Sequence, residues 1–479
     1  MSHTADVCVV GGGPAGATVA ARLADLGYDV TLLEALPFPR PHVGEALPPT
    51  ILPLLEVLHV RDEVEAAGFV RQGGSLIRWA GEVRQRPPSE TEPGFQVDRG
   101  RFDALLLERA ARGGVRVVHR ARARSVSRDG SGRWAVLVQS PAGNFSLEAN
   151  VLVDACGRAS LLRGRRRRLA PPVLALYGYW RDVAWETPRT LIDVAREQWY
   201  WAGPVPDGMV NATVFAAPER VREVGANEAG YRRLLAQSPL LAACLEGTLI
   251  GGVRVCSAVP LVAEEPAGDD WLKVGEAAFT LDPLSSHGVQ TAMVSALQAA
   301  VVIHTIRTAP ERVRAARTFY RERVHEVAAQ HDELAAAHYR RQADDCPSPF
   351  WRARAKPPRM SAATLPADSP RPGPNDRIEL HPDARVGEMS VLEDDLIRSA
   401  VGIRPPGGGP PVAFLGGLPV ERLLALVDGR RTLGDIAIHL AGQCGSTRAA
   451  HVLRWLVESR VARSVAVTSR EGSRAIVSG

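Results

Sequence analysis

Residues 6–34 read DVCVVGGGPAGATVAARLADLGYDVTLLE. Asp6 to Val10 is a short β-branched run, Ala15 to Leu26 is apolar at helical spacing, and Val30 to Leu33 starts a second strand. Gly27 is placed to end the helix. Strand, glycine turn, helix and strand within about thirty residues form a βαβ unit, the piece from which parallel sheets are built. Within it, Gly11-Gly12-Gly13-Pro14-Ala15-Gly16 is a G-x-G-x-x-G sequence, and Glu34 follows Gly16 by eighteen residues. Gly11 permits the tight turn, Gly13 lets a pyrophosphate approach the backbone, and Gly16 lets the helix pack closely on the sheet. The helix N-terminus attracts phosphate charge, and Glu34 is placed to accept ribose hydroxyls. These elements predict a dinucleotide site and leave FAD and NAD open.

Composition narrows the classes. The chain has 479 residues, 45% apolar and 23% charged, which excludes wholesale disorder. No run of eighteen apolar residues predicts a membrane-spanning helix, and the opening MSHTADVCVVGGG lacks the features of a secretory signal. Of 58 basic residues only Lys273 and Lys356 are lysines, so the first 272 residues hold no lysine chemistry. Six scattered cysteines without a Cys-x-x-Cys pair predict neither a metal site nor a disulfide framework, and a cytoplasmic home.

Outward from the βαβ unit, β-rich stretches fall at 115–118, 134–138, 151–153, 210–216 and 251–260. Helical patterns cover 288–307 and run from Glu311 to about Gln342. Eight prolines between Asp345 and Asn375 predict a linker. The domain reading is a body over 1–344, a linker over 345–375 and a small unit over 376–479. In the small unit, helices are expected at Val420–Val427, Leu433–Leu440 and Thr447–Ser459, with a closing strand near 461–467. Thr432 and Asp435 are spaced for a capping box.

Four more segments carry a family resemblance. Leu33 to Pro49, with Arg40, Glu45 and Ala46, looks like the stretch after the nucleotide site in FAD-dependent halogenases and related monooxygenases. Val97-Asp98-Arg99-Gly100-Arg101-Phe102-Asp103 resembles their Arg-x-x-Phe-Asp helix. Val153 to Ser160, with Asp154 and Gly157, is similar to their second FAD-contact segment. Val274 to Val289 resembles the Gly-Asp segment under the flavin, with Glu276 where that family usually has Asp. The resemblance covers residues 6 to about 300, in the family's order.

It implies an α/β fold: a Rossmann-type FAD-binding domain of the glutathione-reductase and p-hydroxybenzoate-hydroxylase type with an inserted antiparallel substrate domain. FAD-binding segments are expected at 5–110, 145–165 and 270–307, and substrate-domain segments at 70–98 and 166–262. FAD would be held by Gly11, Gly13, Pro14, Ala15, Gly16, Glu34, Ala35, Arg40, Ala46, Arg99, Asp154, Gly157, Gly275, Glu276, Pro283, Gly288 and Val289. Arg40 and Arg99 would lie near its phosphates and ribose. Glu45, Asp282 and His287 are the catalytic candidates by the same resemblance, and O2 is the implied co-substrate. Electrons would come from NAD(P)H or a partner flavin reductase, since no separate NAD(P)H domain is visible.

Halogenase and hydroxylase share the start of their chemistry, in which reduced flavin and oxygen give a hydroperoxide. Halogenases then use an essential lysine near the substrate, between the segments matching Glu45 and Arg99. Here that interval, including Val70 to Trp79, holds no lysine, and arginine does not deprotonate to replace it. His287 also stands where halogenases carry a small Ser or Thr beside the halide site. Trp199-Tyr200-Trp201-Ala202-Gly203-Pro204 resembles the halogenases' Trp-x-Trp-x-Ile-Pro, making Trp199 and Trp201 substrate-side candidates, or a core strand. Oxygenation is the reading favoured.

The apolar helix, Asp428-Gly429, Thr432 and following helix resemble the small winged-helix, PqqD-like domains that hold precursor peptides. Joined to a halogenase-like body without the lysine, they resemble flavoenzymes that hydroxylate a tryptophan within a polypeptide during biogenesis of quinone cofactors. A peptide or small protein is the expected substrate, without nucleic acid or membrane. The run Arg163 to Arg168 is either a solvated loop or a site for an acidic partner. Other readings are a halogenase or hydroxylase of a free or carrier-tethered aromatic, a reductase of isoprenoid double bonds, and a flavin-bound peptide chaperone.

Overall fold

A computed structural model describes residues 3–89, 92–185, 188–358, 372–406 and 411–465. It divides into two compact units, Met1–Pro358 and Arg359–Gly479.

The first unit begins β1 (His3–Val10), α1 (Pro14–Asp25), β2 (Val30–Glu34), β3 (Ser75–Trp79) and β4 (Glu82–Arg86). Then come α2 (Arg99–Arg112), β5 (Arg116–His119), β6 (Arg122–Arg128), β7 (Trp134–Ser140) and β8 (Gly143–Asp154). Strands β9 (Leu174–Arg181), β10 (Thr190–Val194), β11 (Gln198–Val205) and β12 (Met209–Ala216) precede helices α3 (Pro218–Val224) and α4 (Glu228–Leu235). The unit closes with β13 (Thr248–Ser257), β14 (Trp271–Lys273), α5 (Gly288–Thr308), α6 (Val313–Asp345) and α7 (Pro349–Arg352).

Two sheets organise it. In the first, β5, β2, β1, β8 and β14 run parallel, and β7 and β6 continue as an antiparallel meander. Its central strands are apolar on both faces because helices cover one side and the meander's cluster the other. Helix α1 packs on α2 and α5. The expected glycine geometry is present. Gly11 has φ +107°, and a Cβ there would lie 2.4 Å from the Ala155 carbonyl oxygen. A Cβ on Gly16 would lie 1.8 Å from the Gly11 carbonyl oxygen. Pro14 opens α1, where its missing N–H costs no bond.

Helix α5 is long and apolar enough by composition to cross a membrane, with a mean hydropathy of 1.5. The burial of Met293, Ala296, Ala299, Ala300 and Ile303 accounts for that composition as a core helix.

The second sheet runs β13–β9–β12–β11–β10–β3–β4; its pairs are antiparallel, as expected of the inserted sheet, except β10–β3, which is parallel. Alternation divides its faces. Leu176, Trp180, Tyr200, Ala202 and Val214 pack against Tyr231, Leu234 and Leu235 of α4. On the other face Ala175, Trp199, Phe215 and Val194 meet Trp79, Tyr339 of α6 and Trp351 of α7.

That last contact corrects the linker. Residues 345–358 belong to the body, because Trp351 is fully buried, donates to the Ala195 carbonyl at 3.2 Å, and Lys356 ion-pairs with Asp332 at 2.6 Å. The proline count concealed this anchor. Residues 359–371 of the expected linker lie outside the described residues.

The second unit has strands β15 (Arg377–Leu380), β16 (Arg385–Glu393) and β17 (Leu396–Arg404), then α8 (Val420–Leu424) and β18 (Asp428–Thr432). Helices α9 (Leu433–Cys444) and α10 (Ser446–Glu458) and strand β19 (Ala462–Ser464) follow. The first expected helix ends three residues early, at Leu424, and the chain turns through Ala425 and Leu426 before Asp428–Thr432 pairs with β15. Positions 466–467 of the closing strand lie outside the described residues. The capping box forms as expected, with Thr432 and Asp435 exchanging bonds of 3.0 and 3.1 Å. Ile378, Leu423, Ile436, Leu440, Val452 and Leu456 make a separate core.

Gly16→Ala should lower folding stability by about 3 kcal/mol or more, since backbone rather than a movable side chain stands in the way. Calorimetry of wild type and variant checks this, together with loss of bound yellow cofactor.

Candidate active site

The first turn of α1 has no side-chain cap, so its amides are open to an anion. Glu34 is buried. Its two carboxylate oxygens accept from the amides of Gly12 and Leu36, each at 2.7 Å, so it pins the glycine turn and Ala35 to the end of β2. Arg40 reaches the same turn: one guanidinium nitrogen lies 3.4 Å from where a Cβ on Gly13 would be. Its Nε is buried without a hydrogen-bond partner, and its guanidinium lies over Phe38. A buried cationic donor beside a turn of open amides fits the pyrophosphate of FAD.

The other segments converge there. Gly275 has φ +55°, and its Cα approaches so closely that a Cβ would lie 2.8 Å from Cβ of Ala15. Glu276 ion-pairs with Arg158 at 3.6 Å, beside Gly157. Arg166 stitches this corner, donating to the carbonyls of Arg158 at 3.0 Å, Ala277 at 3.1 Å and also Glu276.

Two residues expected on the cofactor have other tasks. Asp154 is fully buried and accepts from Cys156 N at 3.1 Å, Ser160 Oγ at 2.8 Å and Leu162 N at 2.8 Å. It shapes the loop that carries Gly157. Arg99 grips Asp103 with bonds of 2.9 and 3.0 Å and donates to the carbonyls of Val43 and Gly44. It holds the loop before Glu45 and Ala46; Ala46 pairs with Gln96.

Segment 282–289 leads into α5. Asp282, 4% exposed, caps the turn through Leu284 N at 3.0 Å and accepts from Tyr339 Oη at 3.0–3.1 Å. Burial holds its carboxyl above the ordinary range, against those two bonds. So enclosed, Asp282 is a strut beneath Pro283 and touches no open space. His287 directs Nδ1 at the Ser285 carbonyl, which only accepts, so that nitrogen carries the proton and Nε2 is the basic one. Gly288 is exposed at the head of α5, next to Val289, and a Cβ there would meet nothing.

Across from these segments lies the sheet face carrying Tyr177, Tyr179, Trp201, Asn211 and Thr213, placed by the registers Tyr179↔Asn211 and Trp201↔Thr213. Glu45 is buried against it. One carboxylate oxygen accepts from Tyr179 Oη at 2.6 Å and Asn211 Nδ2 at 2.9 Å, and the other from Gly44 N at 2.9 Å. Burial and the neighbouring Glu45 charge push the Tyr179 phenol up, so it stays a donor. Sequence reasoning missed Tyr179 and Asn211; the alternation Tyr177-Gly178-Tyr179 on a strand was the available signal. Trp199 is corrected: at 1% exposure, stacked on Phe215 at 3.8 Å, it is core, whereas Trp201 is half-buried.

Both lysines are accounted for. Lys273 is buried in β14 beside Asp154, with its ammonium pKa lowered chiefly by burial, and its Nζ lies under Gly164. Lys356 is tied to Asp332 at 2.6 and 2.8 Å. In the 70–79 interval Arg78 is held by Asp193 at 2.6 Å, and Arg71 lies over Phe95.

Known proteins share this architecture. A family profile described as "FAD binding domain" matches residues 4–173. The tryptophan 2-halogenase of Chondromyces crocatus is 33% identical over 341 residues, covering 67% of this chain and 65% of that enzyme. The flavin-dependent halogenase armH5 of Armillaria mellea is 31% identical over 339 residues, covering 62% and 64%. The chain thus spans just under two thirds of these curated relatives. Among solved structures, peptidyl tryptophan dihydroxylase QhpG, essential for tryptophylquinone cofactor biogenesis, superposes with TM-score 0.74 at 27% identity, covering 95% of this chain and 99% of that one. The flavin-dependent halogenase CmlS shares the fold, with TM-score 0.81 at 20% identity over 97% and 96% of the two chains.

Two outcomes follow from the geometry. Arg40→Gln should weaken FAD binding by at least about tenfold without lowering the Tm of the cofactor-free protein, read by flavin fluorescence titration. Asp282 holds its proton to higher pH folded than unfolded, so the stability it contributes is full below the unfolded carboxyl pKa and declines as pH rises. Asp282→Asn removes that decline. Its Tm relative to wild type should therefore rise between about pH 4 and pH 7, as calorimetry at both pH values would record.

Proposed function

We propose, on its similarity to FAD-dependent halogenases and to QhpG, that the chain is a halogenase-like FAD-dependent monooxygenase that hydroxylates an aromatic side chain, a tryptophan indole, within a peptide or small protein. The observation that carries this reading is the placement of both lysines. One is buried beneath the 163–166 loop and the other, four residues past α7, is ion-paired with Asp332 of α6, so neither serves the Tyr179 face. The lysine-dependent route to a halogenated product has no bearer here. QhpG, similar along nearly the whole chain, supports a peptidyl tryptophan substrate and formation of a quinone cofactor as the purpose.

Bound and reduced FAD supplies activated oxygen from O2, with electrons from NAD(P)H or a partner flavin reductase. The chain's own residues do the rest. The glycine turn and Arg40 hold the phosphates. Arg99 and Asp103 fix the loop on which Glu45 stands, and Tyr179 and Asn211 lock that carboxylate to the substrate sheet. Held so, Glu45 shapes the passage and leaves proton transfer to another group. His287 takes the proton that the ring loses when oxygen adds. Trp79, Trp199 and Phe215 exclude water from the adjoining part of the same face. The small unit holds the remote part of the peptide; a cavity of about 420 Å³ beside Thr447, His451 and Trp455 offers a place. The proposed location is the cytoplasm, on the scattered cysteines of the sequence.

A second reading, halogenation or hydroxylation of a free or carrier-tethered aromatic, is favoured by the similarity to the tryptophan 2-halogenase and to a chlorinase of carrier-bound pyrrole from Pseudomonas fluorescens. The two separate in one experiment. The FAD-loaded protein is reduced and mixed with oxygen and tryptophan-containing peptides, with and without chloride, and products are weighed. Gains of about 16 Da per event, independent of chloride, are expected. A chlorine isotope pattern overturns the reading. His287→Asn should lower kcat by about 10²–10⁴-fold with FAD affinity unchanged.

A further inference from the structure

The substrate sheet ends at β13, which pairs with β9 on one side; among the described residues no strand pairs its other side. An edge of this kind presents a row of backbone N–H and C=O groups. Proteins blunt such edges with lysine, proline or a covering element. The ten residues TLIGGVRVCS contain neither lysine nor proline, and Ile250 and Val255 are 36% and 40% exposed. One irregularity interrupts the strand. Gly251 and Gly252 have φ of +70° and +73°, and the register shifts there against β9. This bulge leaves Arg254–Ser257 as the regular stretch.

The edge adjoins the candidate site. Arg254 stands opposite Tyr177 and Cys256 opposite Ala175, so both share the face that carries Tyr179 and Asn211. The Cys256 thiol, raised by burial, also feels the charges of Arg158 and Glu276, which places it by the cofactor segments.

We propose that this edge is where the substrate docks: an extended stretch of the peptide pairs with Arg254–Ser257 as an added strand, and its alternate side chains, the reacting indole among them, face the Tyr177–Tyr179 wall. The inference rests on the peptide substrate proposed above and says how that peptide is held. Strands lie about 4.8 Å apart, so the added strand sits two spacings from β9. Backbone pairing supplies affinity, while alternate side chains supply selection. Arg254 is the one charged residue of β13, which favours a neutral or acidic segment over a basic one.

The test uses the FAD-loaded full chain and a peptide of about ten residues with a central tryptophan among alternating valine and threonine. Two versions carry N-methyl groups on alternate amides, one on each edge of the extended peptide. One version should raise KM at least about tenfold while the other stays within about twofold. Bound peptide should also slow amide exchange across 254–257. Val255→Lys, on the face away from the site, should lower kcat/KM for the peptide and leave turnover of N-acetyltryptophanamide unchanged. Equal KM for the two versions overturns docking by pairing and leaves peptide hydroxylation standing. So does unchanged exchange at 254–257, or a dimer at assay concentration that Val255→Lys dissociates. Turnover of N-acetyltryptophanamide with no peptide modified overturns the peptide substrate and the docking site together.

Discussion

Backbone meeting backbone at the head of α1 is the constraint on which the body depends. Gly16 rides on the Gly11 carbonyl, Gly11 on Ala155, and Gly275 on Ala15. Three segments far apart in sequence touch there with no side chain larger than an alanine methyl between them. The space so cleared is where a pyrophosphate comes within reach of open amides. The surrounding side chains then have defined tasks: Glu34 fixes the turn, Asp154 the Ala155 loop, and Arg166 the Arg158–Glu276 corner.

What the sequence disclosed follows from range. The βαβ unit, the capping box at Thr432 and the head of α5 at Gly288 are local patterns, and the structure places them within a residue or two of expectation. Long-range contacts were invisible. Tyr179 and Asn211 join Glu45 across separations of 134 and 166 residues, and no spacing announces such a pair. Arg99 and Asp154 stand in motifs whose usual ligand is the cofactor, yet their bonds go to loops, because a loop that must sit still needs its carbonyls and amides held. Trp199 shows the opposite error: an aromatic read toward the substrate turned out to be packing. The prolines after Asp345 misled in a third way, since Trp351 among them is an anchor.

The substrate sheet has two unlike faces. One is closed by α3 and α4 and is largely apolar, with Asp193 and Gln198 as its buried polar members, bonded to Ser238 and Gln237. The other mixes tyrosine, asparagine and a buried carboxylate with aromatic rings, and every polar atom of the Glu45 cluster is matched. A buried network satisfied in this way is stiff. Its stiffness preserves the distance between the loop before Ala46 and the wall opposite.

Helix α6 spans about 50 Å and touches both halves of the body. It receives the Trp79 indole N–H on the His338 carbonyl at 3.0 Å, donates from Tyr339 to Asp282, and donates from Tyr320 to the Lys273 carbonyl at 2.7 Å. One rod thus registers the segments around the glycine turn and Asp282 against the sheet that carries Tyr179, as a shared ruler would. Grafting a relative's sheet onto this body to change its scope would carry an obligation: the new sheet must arrive with the helix to which it was cut.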